Sequence, residues 1–336
     1  MRYRKVGRSS LEVSEIAFGT GDTAGGIVYG SSREQAALVE AALEAGITLF
    51  DCSPDYGKGM GEANLGRVLK DIGAPDVTIV TKVEIMPEDM SRIGDKIRES
   101  LHDSLLRLRR DHVDVLMLHN PCRAMRDPAI RVWTPLTPDD ILDQVLPVFA
   151  ELRQAGKTRF LGLACESAHV PSVHRVLATR EFTLVNAWYN LVNPSAATPV
   201  SGLAVNRNYD GLFAATAEFG VGVAVIRPLA GGALTSAMIG GGEAARNPLS
   251  RPLRHDPKRI LPDIQRARPF AYLERPGVRT LSEAAYRFVL ASRAVSSIVG
   301  GFSEPSHIAE AAMCSERGPL DADELAEIQD IFRRER

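Results

Sequence analysis

Short runs of apolar, often β-branched residues recur along the chain, and between them apolar positions return every three or four residues. The runs read as strands over Ser14–Phe18, Ile47–Asp51, Val77–Lys82, Val113–His119, Arg159–Leu163, Thr183–Trp188, Val221–Arg227 and Ser296–Val299. Most are nearly continuous in hydrophobicity rather than alternating, which marks strands covered on both faces, as in parallel sheets. The helical period falls on Arg33–Glu44, Glu62–Ile72, Ser91–Arg107, Pro138–Ala155, Val170–Thr179, Tyr209–Phe219 and Leu281–Ser292. Ser32 is placed to cap the first helix, and Gly46 and Gly156 stand where helices should stop. Regular strand–helix alternation implies a parallel sheet. Eight units in roughly 300 residues favour one closed (β/α)8 TIM barrel, residues 1–336, over an open doubly wound sheet.

Tyr3 to Val6 and Leu11 to Val13, around Gly7-Arg8-Ser9-Ser10, read as a short N-terminal β-hairpin, and Asp321–Arg336 as a charged terminal helix. Three connections are long: Asn120–Thr137 with Trp133, Asn190–Asn208, and Leu229–Glu274 with its glycines, prolines and arginines. Long loops on a barrel usually carry function, so all three are expected at the C-terminal face. No G-x-G-x-x-G follows any strand, and Gly19-Thr20-Gly21 leads into a loop, so a Rossmann reading is weak.

Three strand runs end on an ionisable residue: Asp51, Lys82 and His119, with Tyr56 five residues past the first. Such ends point into a barrel mouth, where α/β enzymes keep their chemistry. Singly, each has a plain structural reading: Asp51 and Lys82 as an internal ion pair, His119 as a core histidine, Tyr56 as a packing residue. Together they make an acid–base cluster. A free tyrosine has a pKa of about 10, and a neighbouring ammonium lowers it by favouring the phenolate. Lys82 can do this while Asp51 keeps Lys82 charged, and His119 can orient a carbonyl oxygen or relay a proton. Such a site protonates an oxygen as charge develops on it and suits carbonyl reduction by a cofactor's hydride.

Composition narrows the partners. A net charge of -2 and a pI near 6.4 leave no basic field for nucleic acid. Cys52, Cys122, Cys165 and Cys314 have no paired spacing and read as reduced thiols in a cytoplasmic protein. The first residues lack the apolar stretch of a signal peptide, and no run approaches the ~18 apolar residues of a membrane span. His119 has no further ligands at metal spacing, which leaves a barrel metal hydrolase a distant reading and no metal expected.

The residues resemble the aldo-keto reductase family. Phe50-Asp51-Cys52-Ser53-Pro54-Asp55-Tyr56-Gly57 with Glu62 and Leu65-Gly66 is similar to its F-D-T-A-x-x-Y-G…E-x-x-L-G signature. Val80-Thr81-Lys82, Ser104-Leu105-Leu106-Arg107-Leu108 with Asp114 and His119, Gly156–Gly162, Tyr189-Asn190 and Pro228–Gly232 follow in the family's order over nearly the whole chain. The resemblance implies an extended nicotinamide dinucleotide bound without a Rossmann fold, NADP by family tendency with NAD as the alternative. It assigns Tyr56 as general acid, Lys82 and Asp51 as its tuners and His119 as the carbonyl-orienting residue. It also places Gly19, Thr20, Asn186, Arg227, Leu229, Gly231, Gly301, Ser303, His307 and Glu310 along the cofactor, with Trp133 either a substrate wall or a loop anchor.

The pattern also departs from the family. Ala164 and Cys165 stand where the family's Ser-Asn holds the nicotinamide carboxamide, leaving Glu166 or Ser167 as substitutes, and Asn186 stands where Gln is frequent. Ile226 or Arg227 replaces the aromatic that stacks on nicotinamide. Arg227 can stack on a ring, or pair with a substrate carboxylate or a loop acid. Around Gly300-Gly301 the chain offers Ser303, Ser306 and His307 where NADP-preferring members carry Lys or Arg, and Glu304 would repel a 2′-phosphate. Arg251–Arg268 is either a flap over the pyrophosphate or a solvated surface. The functional readings are a carbonyl oxidoreductase on a small molecule, an NAD-dependent sugar or pyridoxal-type dehydrogenase on the same scaffold, and a nicotinamide-binding regulatory subunit with little turnover.

Overall fold

The computed structural model describes residues 1–74, 76–127, 134–198, 205, 207–240, 257–275 and 279–334. Two strands, β1 (Tyr3–Lys5) and β2 (Glu12–Ser14), form an antiparallel hairpin. Eight more close a barrel: β3 (Ile16–Gly19), β4 (Leu49–Asp51), β5 (Thr78–Val83), β6 (Val113–Leu118), β7 (Thr158–Ala164), β8 (Phe182–Trp188), β9 (Gly222–Ile226) and β10 (Val295–Gly301). They run parallel in chain order, with β10 closing on β3. Each apolar run of the sequence became one strand of this barrel.

Apolar side chains divide into two cores. One fills the barrel, with Ala17, Leu49, Val80, Val115, Met117, Ala164, Leu184, Ala224 and Val299. Val6, Leu11 and Val13 of the hairpin join it from below. The hairpin is tied to the barrel floor where Arg8 N–H donates to the Gly220 carbonyl (2.8 Å) and Ser296 Oγ to the Lys5 carbonyl (3.1 Å). The other core lies between the strands' outer faces and the helices, and holds Phe18, Phe50, Ile79, Leu116, Leu118, Leu163 and Val185. Because successive strand residues point to opposite faces, these two memberships fix which mouth residues face inward.

Most helices match their predicted spans: Ser32–Glu44, Met60–Asp71, Ile93–Leu108, Val170–Leu177, Leu212–Phe219 and Leu281–Leu290. The first cap moves by one residue. Ser31, not Ser32, accepts from the Glu34 N–H, and Glu34 reaches back in a capping box. Gly46 and Gly156 follow helix ends in left-handed backbone, as their positions suggested. The span Pro138–Ala155 is not one regular helix. A turn at Pro138–Asp140 leads into a π-helical segment, Ile141–Val145, before Leu146–Gln154. Pro147 has no N–H to return to the carbonyl four residues back, so the α ladder is interrupted at this point. The long connection after β9 holds a helix, Pro257–Ala267, that its proline and arginine content concealed, and Pro305–Arg317 forms another after β10.

Several motif residues brace the barrel. Glu62 is buried and accepts from Thr81 Oγ1 (2.5 Å) and Arg107 Nε (2.7 Å), tying two helices to β5. Asp114 accepts from the Ile79 N–H (2.9 Å) and Arg159 Nη1 (2.7 Å), locking β5, β6 and β7 together. Buried carboxylates with two such donors are fully satisfied, which makes burying them tolerable. Among the described residues, no helix is long and apolar enough to cross a membrane.

Candidate active site

Strand parity builds the centre of the mouth. Asp51 lies two residues beyond inward-facing Leu49, Lys82 two beyond Val80, His119 two beyond Met117, and Asn186 two beyond Leu184. All four therefore stand directly above the barrel's apolar filling, at the C-terminal ends of their strands. Lys82 Nζ donates to Asp51 Oδ1 at 2.6 Å and to the Cys52 carbonyl at 2.7 Å. Side-chain exposures of 0% for Lys82 and 5% for Asp51 make this a desolvated ion pair.

Tyr56 comes from the turn between β4 and the helix Met60–Asp71. The turn is sharp: Gly57, Lys58 and Gly59 have φ of 60°, 55° and 86°. At Gly57 a Cβ would sit 2.3 Å from Val28 Cγ1, so glycine is required for space as well as for backbone. The Tyr56 N–H donates to the Ser53 carbonyl (3.1 Å) and its carbonyl accepts from the Gly61 N–H (3.1 Å). The phenol ring lies 4.8 Å from Lys82 Nζ, and the His119 ring meets it edge-on, centroids 6.2 Å apart at 86°. Thus the four residues singled out by their spacing form one cluster.

Its electrostatics differ in one respect from the expectation. Burial raises the Tyr56 pKa above the ordinary tyrosine value, and the Lys82 ammonium only partly offsets it. Asp51 adds to the rise. Lys82 pulls in the anticipated direction, but desolvation of a phenolate is the larger effect. Burial also disfavours the Lys82 ammonium, yet the Asp51 carboxylate and Tyr56 hold its pKa above the usual lysine value. At neutral pH the cluster is a neutral phenol over a closed ion pair.

Residues that spacing did not single out surround it. Glu84, two past Lys82, brings Oε1 to 3.2 Å from His119 Nδ1. Continuing the inward parity past the end of β5 would have found it. Trp188, two past Asn186, is buried between two guanidinium groups, Arg207 at 4.7 Å and Arg227 at 4.3 Å from its ring centroid. Arg207 Nη1 also pairs with Glu166 Oε1 at 2.7 Å. Glu166, named as a substitute carboxamide ligand, is thus paired with Arg207, and Ser167 takes left-handed backbone at φ 62°.

The cofactor positions divide in a similar way. Asp51, Gly19 and Gly301 are register partners across β4, β3 and β10 and form one row at the mouth. Thr20 is buried with its N–H (2.9 Å) and hydroxyl (3.1 Å) both on the Asp51 carbonyl, so it ties the end of β3 to β4. Ala164 faces the barrel interior beside Asn186, its register partner. Cys165 points outward into the helix-facing core, and burial raises its thiol pKa. Asn186 Oδ1 accepts from the Cys165 N–H at 3.1 Å, which leaves the Asn186 amide group as the side-chain donor on this wall. Leu229, Ala230, Gly231 and Gly232 turn tightly after β9, with φ of 50°, 70° and 101° at the last three. Ser303 Oγ lies 3.3 Å from His307 Nδ1 at the start of Pro305–Arg317, where Glu304 is the capping residue. Glu310 Oε1 accepts from Thr280 Oγ1 at 2.5 Å. Trp133 lies outside the described residues, as do residues 251–256 of the arginine-rich stretch.

Residues 15–333 match the model of the aldo/keto reductase family. L-galactose dehydrogenase of Arabidopsis thaliana is 28% identical over 99% of this chain and 94% of its own length. A probable voltage-gated potassium channel subunit beta of Oryza sativa is 35% identical, but over 36% of this chain and 38% of that one. The holo form of an aldo-keto reductase from Bacillus halodurans superposes with a TM-score of 0.72 at 24% identity, covering 98% and 96% of the two chains. With a whole-length family match and the barrel the fold requires, this chain belongs to the aldo/keto reductase family of oxidoreductases.

Proposed function

We propose that the chain interconverts a carbonyl compound and its alcohol by hydride transfer with a nicotinamide dinucleotide, Tyr56 supplying or taking the proton. The observation that carries this is the desolvated Lys82–Asp51 pair, 2.6 Å long, set against the Tyr56 ring with His119 beside it. A neutral phenol is the right proton donor for a carbonyl oxygen that gains negative charge. Lys82 stabilises the phenolate left behind, and Asp51 keeps Lys82 charged throughout. His119, with the Glu84 carboxylate beside its ring, orients the carbonyl oxygen toward the phenol.

The groups at the mouth suit such a cofactor. Gly19 and Gly301 let Val299 and Ala24 pack against the strand ends: a Cβ at Gly301 would lie 2.9 Å from Ala24 Cβ. Asn186 would hold the nicotinamide carboxamide, the Leu229–Gly232 turn the pyrophosphate, and Ser303 with His307 the adenosine end. The bound nicotinamide supplies the hydride. The barrel's apolar filling directly beneath the cluster keeps water from reaching it from below.

The second reading, an NAD-linked dehydrogenase acting on a sugar or similar alcohol, is favoured by Glu304. Glu304 stands at the N-cap position of the helix beside Ser303, and its carboxylate accepts from Ser306 Oγ at 3.4 Å, where a 2′-phosphate would be repelled. Titration with NADPH and NADH, followed by nicotinamide fluorescence, separates the readings. Tighter NADPH binding supports the family's usual preference, and equal or tighter NADH binding moves the function to the dehydrogenase. Binding of neither sinks the hydride-transfer proposal. Turnover of a carbonyl panel then separates an enzyme from a cofactor-binding regulator, which would bind without measurable turnover.

The raised Tyr56 pKa sets the pH dependence. The acid form dominates below the folded pKa, so the reduction rate is expected to hold from acid through neutral pH and decline only in alkali. Oxidation needs the phenolate and is expected to rise with pH, with a slope near one per unit on a logarithmic plot. Steady-state kinetics in both directions check this. A reduction rate that falls between pH 6 and 7 would assign the proton to another group, about where an ordinary histidine titrates.

A further inference from the structure

We propose that Arg227 is an anion-recognition residue that selects carbonyl substrates bearing a carboxylate. The inference deepens the proposed function and rests on it for the reaction, but not for the binding site.

Arg227 directly follows β9 at the C-terminal face. Its guanidinium lies 4.3 Å from the centroid of the Trp188 ring, and that ring is buried at the end of the neighbouring β8. Register places Trp188 opposite Ile226, so the two residues are locked side by side by the sheet. The second guanidinium on this indole, Arg207, is neutralised by Glu166 at 2.7 Å. Next along the same wall, Arg266 pairs with Asp263 at 2.5 Å. Arg227 makes no ion pair among the described residues and is exposed at the mouth, where the Glu166 and Asp263 carboxylates act on its charge. A planar guanidinium held on an aromatic presents its N–H edge in fixed geometry, which suits two-pronged binding of a carboxylate.

The backbone is fixed as well. Arg227 has φ 55°, a left-handed conformation that a residue with a side chain adopts only when its surroundings impose it. Asn190 imposes it: Nδ2 donates to the Arg227 carbonyl at 2.8 Å, while Oδ1 accepts from the Val192 and Asn193 N–H groups. Gly231 leaves the space that the guanidinium occupies, since a Cβ there would stand 2.9 Å from Arg227 Nη2. Tyr56 follows β4 and Arg227 follows β9, both at the C-terminal face, so a substrate carbonyl at the one and a carboxylate at the other would lie across one mouth.

Two measurements test this. The first compares 4-carboxybenzaldehyde with its methyl ester as substrates of the full chain. The unmodified protein is expected to favour the carboxylate, and Arg227→Gln to lower kcat/KM for it by about tenfold to a hundredfold, the worth of hydrogen bonds to a charged group. Turnover of the ester should fall less than turnover of the carboxylate, and the affinities for NADPH and NADH, measured in the same variant, report any contact of Arg227 with the cofactor. Arg227→Lys, which keeps the charge but not the planar fork, should retain part of the preference and shows that the site is still folded. The second is a calorimetric titration with benzoate, which needs no turnover. Binding lost in Arg227→Gln supports the anion site even if no carbonyl is reduced, in which case the reaction proposal alone fails. Benzoate binding or substrate preference unchanged in Arg227→Gln overturns the inference. So does a variant that loses cofactor affinity while keeping the preference, because the anion met by Arg227 would then be a cofactor phosphate.

Discussion

Tyr56→Phe is expected to lower turnover by about a hundredfold to ten-thousandfold, the range a positioned general acid contributes, while cofactor affinity and folding stay intact. The substitution removes one oxygen. It leaves the ring 4.8 Å from Lys82 Nζ and edge-on to His119, and it leaves the Lys82–Asp51 pair closed. Lost activity would therefore report the proton and not a collapsed site. The loss should fall on kcat and kcat/KM together, since the phenol's proton is needed as charge develops on the oxygen and not for binding. The variant should also lose the rise of oxidation with pH, because no phenolate remains to form. Two results count against the assignment: turnover within a few-fold of the parent, or a drop confined to KM. A parent protein that binds cofactor but turns over nothing would leave Tyr56→Phe with nothing to remove and would favour the regulatory reading.

The acid–base cluster was legible in the sequence because a barrel strand converts order into position. Asp51, Lys82 and His119 end three apolar runs, and parallel strands of one barrel bring such ends to one mouth. Parity then decides which face they take, and the apolar residues two places earlier, Leu49, Val80 and Met117, line the barrel interior. What parity could reach but spacing did not mark was Glu84 and Trp188, each two residues past a residue already singled out. Arg207 and Glu166 have no such signal. Their 2.7 Å pair joins the loop after β8 to the segment after β7, a contact that only the closed barrel creates. A motif residue also carries structure. Thr20 reads as a cofactor contact by resemblance, and its N–H and hydroxyl both donate to the Asp51 carbonyl. The Lys82 effect on Tyr56 was read with the right sign, but the sequence holds no measure of burial, and burial sets the net direction. Connections rich in proline and arginine hid the helix Pro257–Ala267, because tertiary packing there overrides weak local preference.

Asp51→Asn is expected to destabilise the fold by about 3–5 kcal/mol, the cost of breaking a buried pair from one side. The substitution keeps the shape and an acceptor oxygen but deletes the charge, so Lys82 is left as a buried ammonium among neutral acceptors, the Cys52 carbonyl one of them. The parent and the variant should then differ in how stability varies with pH. In the parent the folded Lys82 pKa lies above its unfolded value, so the pair's contribution is complete below about 10.4, the unfolded lysine value, and is lost only as pH rises through the folded one. Without Asp51, desolvation drives the folded pKa below the unfolded value. The unfolded chain then binds more protons, and stability rises with pH between the two values. The gap between parent and variant should therefore narrow from neutral pH toward pH 10, as read by denaturant unfolding at a series of pH values. Lys82→Met in the same background removes the stranded ammonium and should recover much of the stability without recovering turnover. That combination separates what the pair does for the fold from what it does for Tyr56. A stability gap independent of pH, or a double variant no more stable than Asp51→Asn, would mean that the pair is not held as a charge couple and that another group keeps the phenol in place.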